Sequence, residues 1–270
     1  MQMDTFTLDA LERVRTSAPL IHNITNLVVM NSTANILLAV GASPVMAHSR
    51  AEVEEMIAMA GALVLNIGTL QQDWVDTMIL AGRAANARGI PVILDPVGAG
   101  ATRFRTRAVH AIMAGCAISV LRGNASEVLA VGAADIRTKG VDSSLALSEE
   151  IVAAAKDMAL SRNCIVAVSG ERDCITDGKR VFRVGNGQPL MTRVTGIGCG
   201  LSAVAAAFCA VAPDAFLEAV TAAFAFYGRC ADLAIGVSDR PGSFYIAFLD
   251  WLYSAGKNEI TQGLKISMEG

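Results

Sequence analysis

The sequence predicts an α/β domain whose mostly parallel sheet is covered by helices on both faces, and three observations carry that reading. The 270 residues are 53% hydrophobic and 17% charged, with a mean hydropathy of +0.46, enough apolar material for one large core. Short apolar runs alternate with segments of helical periodicity as far as Ser169, the rhythm of βαβ units. Runs such as Ala62-Leu63-Val64-Leu65-Asn66-Ile67 stay apolar without alternating, as strands buried on both faces do. No repeat, linker or low-complexity stretch divides the chain, so residues 1–270 read as a single domain.

Residues 4–16 have the spacing of an amphipathic helix, and Pro19 to His22 form a short apolar strand ending in His22-Asn23-Ile24-Thr25-Asn26. Open α/β sheets bind ligands beyond the carboxyl ends of their strands, which makes Asn23 a candidate for substrate binding. Thr25 or Asn26 is placed to cap a helix from Leu27 to Val40, which Gly41 ends. A second strand, Ser43 to Ala47, precedes a helix over 51–60 with Glu52, Glu54 and Glu55 in its early turns. The strand through Ile67 ends at Gly68-Thr69, and a helix over 73–88 follows.

The next strand, 90–94, ends in Asp95-Pro96-Val97-Gly98-Ala99-Gly100, where a carboxylate is well placed to hold a cation. Arg103, Arg105 and Arg107 come after it on the next loop and helix. The strand over 117–121 leads through Arg122-Gly123 into Asn124-Ala125-Ser126-Glu127, which has the form of a capping box. In a second reading Glu127 faces the same edge as Asp95 and organises Mg²⁺ and its waters on a nucleotide's phosphates. A polar loop over 132–144, a helix over 145–161 and a strand over 164–168 ending in Ser169-Gly170 come next. Asp177-Gly178 turns a hairpin of 173–176 and 180–183, and helices over 214–235 and 243–254 finish the chain.

Between the hairpin and those last helices, Thr195-Gly196-Ile197-Gly198-Cys199-Gly200 opens an Ala-rich helix running to Ala210. A helix start leaves its first amides unpaired and carries partial positive charge, so Gly196, Ile197, Gly198 and Cys199 form a candidate anion hole. The same field favours the thiolate of Cys199. A P-loop would need Lys and then Ser or Thr after its last Gly, whereas Leu201 and Ser202 follow Gly200 here. A dinucleotide fingerprint would open the first βα unit and is excluded by position.

A net charge of −3 without any basic run excludes nucleic acid as the main partner. Asn23, Asn26, Asn31 and Asn35 interrupt the uncharged stretch 16–49, and glycines break the one over 194–213, so no membrane span is expected. Asp4, Asp9 and Glu12 replace the basic start and apolar core of a secretory signal, which predicts a cytoplasmic protein. The six cysteines show no CxxC spacing; five read as core hydrophobes of a reducing compartment, and only Cys199 has a special setting.

Five of these segments, 22–26, 95–100, 122–127, 168–170 and 194–199, resemble in order and spacing the hydroxyethylthiazole kinases of the ribokinase-like superfamily, along essentially the whole chain. The resemblance implies a three-layer αβα fold and Mg²⁺-dependent transfer of the ATP γ-phosphoryl group to the hydroxyl of 4-methyl-5-(2-hydroxyethyl)thiazole in thiamine salvage. It also implies a homotrimer with sites at subunit interfaces. Met46 and Gly196 would contact the thiazole, Arg122 and Ser169 the nucleotide, and Asp95 with Glu127 would organise metal and phosphates. Asn23 and Gly68 join the substrate side from their position at strand ends. Most ribokinase-like enzymes carry Asp as a base where this chain has Cys199, which is similar to the thiazole kinases. Phosphoryl transfer needs positioning and charge neutralisation more than deprotonation.

Three other readings compete. A hydroxymethylpyrimidine-type kinase or a nucleotide-repair dehydratase would normally have Asp in place of Cys199. A thiol hydrolase or transferase needs an oriented base, and His22, His48 and His110 sit in no Cys-His motif. A non-catalytic nucleotide-binding sensor would not need Asp95 and Glu127 together.

Overall fold

A computed structural model describes residues 2–132 and 149–269. Of the loop expected over 132–144 only Gly132 is described, as the last residue of a helix; the rest of that loop and the start of the helix expected from residue 145 lie outside the described residues. The first half of the chain alternates as predicted: α1 (Met3–Ser17), β1 (Leu20–Ile24), α2 (Met30–Val40), β2 (Ser43–Val45), α3 (Val53–Met59), β3 (Ala62–Asn66), α4 (Gln72–Ala87), β4 (Val92–Asp95), α5 (Arg103–Gly115), β5 (Val120–Asn124) and α6 (Ala125–Gly132). Then come α7 (Glu149–Arg162), β6 (Ile165–Ser169), the hairpin β7 (Asp173–Thr176) and β8 (Val181–Val184), a short 3₁₀ turn at Pro189–Arg193, α8 (Ile197–Ala210), α9 (Phe216–Ala234), α10 (Pro241–Ser254), α11 (Lys257–Thr261) and β9 (Ile266–Glu269).

The strands form one sheet in the order β2-β1-β3-β4-β5-β6-β7-β8-β9. Pairing is parallel from β2 through β6 and antiparallel from β6 to β9. Because side chains alternate along a strand, each central strand feeds two cores. Ala62, Val64, Ile93 and Val120 pack with α1, α2, α8, α9 and α10 on one face. Leu63, Leu65, Val92, Leu94 and Leu121 pack with α3 to α7 on the other. This is the three-layer arrangement, and it explains why the central strands read as unbroken apolar runs.

Several local expectations shift. The helix expected from Leu27 begins at Met30, with Val29 at its cap and no side-chain capping bond; Asn26 instead offers its carbonyl to the Val29 amide at 3.3 Å. The strand expected over 43–47 stops at Val45, which leaves Met46 in the loop beyond it. The strand expected over 117–121 is shifted: it begins at Val120 and runs through Arg122 and Gly123 to Asn124, paired with β6 along that length. The terminal strand β9, paired with β8, was not foreseen.

Candidate active site

Parallel strands bring their carboxyl ends to one edge, so residues far apart in the sequence meet there. The chain runs from β1 outward to β2 and then crosses back to β3 on the other side of β1, and such a reversal of strand order opens a ligand crevice. Asn26, just past β1, and Asn66, at the end of β3, meet at that reversal, with Nδ2 of Asn26 donating to Oδ1 of Asn66 at 2.8 Å. Nδ2 of Asn66 donates to Oδ2 of Asp95 at 3.0 Å, and the Ser202 hydroxyl of α8 donates to the same oxygen at 2.8 Å. Asp95 is 1% exposed. Burial pushes its carboxyl up to about 6, against the pull of the Arg122 charge, whose Nη1 lies 3.9 Å from Oδ2.

Arg122 is buried within β5. Its Nη2 donates to the Ser169 hydroxyl at 3.0 Å, and its Nε has no hydrogen-bond partner among the described residues. Nη1 lies 3.3 Å from where a Cβ on Gly198 would stand, so the guanidinium lies against the first turn of α8. Gly196 caps that helix at φ 90°, a left-handed conformation that favours glycine, and a Cβ there would come 2.6 Å from the Ser32 hydroxyl. The first intrahelical bond runs from Gly200 N–H to Gly196 O at 2.8 Å, which leaves the amides of Ile197, Gly198 and Cys199 at the open end. A buried guanidinium with an unused donor beside an open helix start suits an anion such as a phosphate. Gly200 has a different reason, since a Cβ there would lie 2.8 Å from the Tyr227 hydroxyl, which donates to Ile197 O at 2.8 Å.

Asn26 Nδ2 reaches Cys199 Sγ at 3.6 Å. The expected thiolate is not supported. Burial, and next the negative charge of Asp95, push the Cys199 thiol up to about 11, so it keeps its proton at neutral pH.

Glu127 makes a reciprocal capping box: its amide donates to Asn124 Oδ1 and its Oε2 accepts the Asn124 amide, both at 2.9 Å. Its Oε1 also accepts the Gly98 amide at 2.8 Å. Among the described residues no group of three or more His, Cys, Asp and Glu side chains could hold a metal ion. The donors present, Asp95 and the remaining lone pairs of Glu127, instead fit a cation whose other ligands are phosphates and water, the usual setting of Mg²⁺.

Arg105 clamps the loops after β3 and β4, donating through Nη1 to Ile67 O at 2.9 Å and Val97 O at 2.6 Å, and through Nη2 to Gly68 O at 2.6 Å. Gly68 lies just past the end of β3, and half-buried Met46 lies just past β2 rather than within it as expected. Asn23 is fully buried and folds its amide back to Ile21 O at 2.8 Å; no hydrogen bond joins it to the cluster around Asp95. The sequence pattern did not single out Asn66, Ser202 or Asp173, and offered Asn26 only as an alternative to Thr25 for a helix cap. The available signal was a polar residue inside an apolar run, which marks Asn66 and Ser202. Asp173, buried at the start of β7, accepts the Gly170 amide at 3.0 Å and so pins the turn after Ser169.

This fold is of the ribokinase-like type. A ribokinase-like superfamily protein from Enterococcus faecalis shares the fold, with a TM-score of 0.64 at 13% identity over 92% of this chain and 95% of that one. The chain belongs to the hydroxyethylthiazole kinase family, whose model matches residues 11–258. It is 51% identical over 256 residues to a hydroxyethylthiazole kinase of Desulfotalea psychrophila, covering 95% of this chain and 93% of the relative. The solved structure of a hydroxyethylthiazole kinase protein from Pyrococcus horikoshii matches with a TM-score of 0.90 at 44% identity, over 98% of this chain and all of that one (100%).

Proposed function

We propose that the protein transfers the γ-phosphoryl group of ATP to the hydroxyl of 4-methyl-5-(2-hydroxyethyl)thiazole, a thiamine-salvage step, in the cytoplasm and as a homotrimer with sites between subunits. The observation that carries the reading is the pairing of Arg122, whose Nε has no partner among the described residues, and the open start of α8 at the same sheet edge as Asp95. Arg122 and Ser169 take the nucleotide phosphates, and the amides of Ile197, Gly198 and Cys199 receive the transferring phosphoryl group. Asp95 and, through water, Glu127 would hold Mg²⁺, which when bound neutralises charge on the phosphates. Met46, Gly68 and Gly196 line the thiazole side, beside the crevice between β1 and β3. Leu27 and Val28, 56% and 67% exposed next to Asn26, supply an apolar rim that a neighbouring subunit would cover.

The direct test supplies ATP, Mg²⁺ and a panel of primary-alcohol heterocycles and follows the phosphorylated product. Thiazole phosphate supports the reading. Turnover of a hydroxymethylpyrimidine alone would move the assignment to the pyrimidine branch.

A further inference from the structure

The amide chain at the β1–β3 reversal has a direction that can be read without choosing which end of either asparagine is oxygen. The Gly68 backbone N–H lies 3.0 Å from the Asn66 side chain. A backbone amide only donates, so the Asn66 atom facing it is Oδ1, and Nδ2 therefore faces Asp95. Asn26 meets that same oxygen at 2.8 Å and must present its nitrogen. An amide nitrogen carries two hydrogens, and the second is directed at Cys199 Sγ, 3.6 Å away. Cys199 is also the one cysteine of the six that is half-buried, the other five being buried.

We infer that Asn66 and Asn26 are positioning residues for the acceptor alcohol: by making the Cys199 sulfur a hydrogen-bond acceptor on its Asn26 side, they turn its S–H toward the crevice and the substrate hydroxyl. The S–H then holds one lone pair of the alcohol oxygen and leaves the other free to attack phosphorus, as the bond from that phosphorus to the ADP oxygen breaks and the hydroxyl proton passes to an oxygen of the transferred phosphoryl group. This rests on the kinase reading above, in which Cys199 faces the alcohol.

A double-mutant cycle tests it: kcat and KM for the thiazole alcohol at saturating ATP in the wild type, Asn26→Ala, Cys199→Ala and the double variant. Asn26→Ala alone is expected to lower kcat about tenfold, the worth of one hydrogen bond, with KM changed less than about threefold. On the Cys199→Ala background the same change is expected to cost less than about twofold, because the sulfur it orients is gone. Equal losses on both backgrounds, or none on either, overturn the inference. Asn66→Ser, which keeps a hydroxyl for the Gly68 amide but removes the amide that orients Asn26, is carried through a parallel cycle. Because Asn66→Ser also removes the bond to Asp95, whose cost is shared by both backgrounds, this cycle decides by whether its loss is smaller on the Cys199→Ala background, should Asn26→Ala show no cooperative melt. Cys199→Ala with full wild-type kcat would instead contradict the placement of Cys199 at the alcohol, and this inference with it. A slow Cys199→Ala with an uncoupled Asn26 contradicts the inference alone.

Discussion

Oε1 of Glu127 accepts the backbone amide of Gly98 at 2.8 Å, tying the first turn of α6 to the loop that follows Asp95. Since Oε2 accepts the Asn124 amide, both oxygens face N–H groups, and a glutamine would set its NH₂ against one of them. Glu127→Gln is therefore expected to cost about 1–3 kcal/mol of stability. It should also lower kcat and raise the Mg²⁺ concentration needed for half-maximal rate. Metal titrations beside urea melts separate the two effects; an unchanged Mg²⁺ requirement would reduce Glu127 to a helix cap.

Arg105 serves three carbonyls of two loops through one planar fork, a geometry lysine does not reproduce. Arg105→Ala should destabilise the protein by on the order of 3 kcal/mol, with Arg105→Lys recovering less than half. Because Gly68 is one of the three, KM for the alcohol should rise as well. Urea midpoints for both variants within about 0.5 kcal/mol of the wild type would show that the clamp is dispensable.

Asp173 gives the clearest pH signature. Burial raises its carboxyl from 3.8 to about 7, against the Gly170 amide and the Arg122 charge, so the folded protein binds a proton that the unfolded chain has released. Stability contributed here is present at low pH and declines as pH rises between about 4 and 7. Asp173→Asn keeps an oxygen for the Gly170 amide and removes the buried charge. It should stabilise by on the order of 3 kcal/mol at pH 8, with the gain closing toward pH 4. A gain independent of pH, or a loss at pH 8, would refute this account of Asp173.

The alternation, the two-faced strands and the Gly196 helix start were legible because each depends on local pattern: apolar period, capping chemistry, glycine where φ is positive. The rest depended on partners distant in sequence. Arg122 looked like a residue beyond its strand because a buried charge breaks the apolar pattern, and only pairing with β6 and the neighbouring Asp95 keeps it inside. Asn66 was hidden at the tail of an apolar run, its partners 40 and 29 residues away. The thiol state of Cys199 depends on burial and on the nearby Asp95 charge, neither of which is visible in the sequence as the helix start is. The edge strand β9 is four residues with half-exposed or exposed side chains, too little pattern to detect.

Assembly is tested by light scattering. A homotrimer runs near three times the 28.2 kDa chain mass. Aspartates in place of Leu27 and Val28 should dissociate it and lower activity together. A fully active wild-type monomer would remove the interface from the account of the site.

The most direct test of the central claim, phosphoryl transfer to an alcohol held beside a protonated Cys199, is kcat for the wild type, Cys199→Asp and Cys199→Ala, with intact-mass analysis for a covalent adduct. Cys199→Asp should keep or exceed wild-type activity, since a carboxylate accepts the Asn26 N–H and can take the hydroxyl proton. Cys199→Ala should lose about 10- to 100-fold, less than the usual worth of a general base, because in this account the thiol donates a hydrogen bond and takes no proton. No adduct should form. Two inactive variants that fold and bind ATP, together with substrate attached to the wild-type sulfur, would contradict the account and make Cys199 a nucleophile.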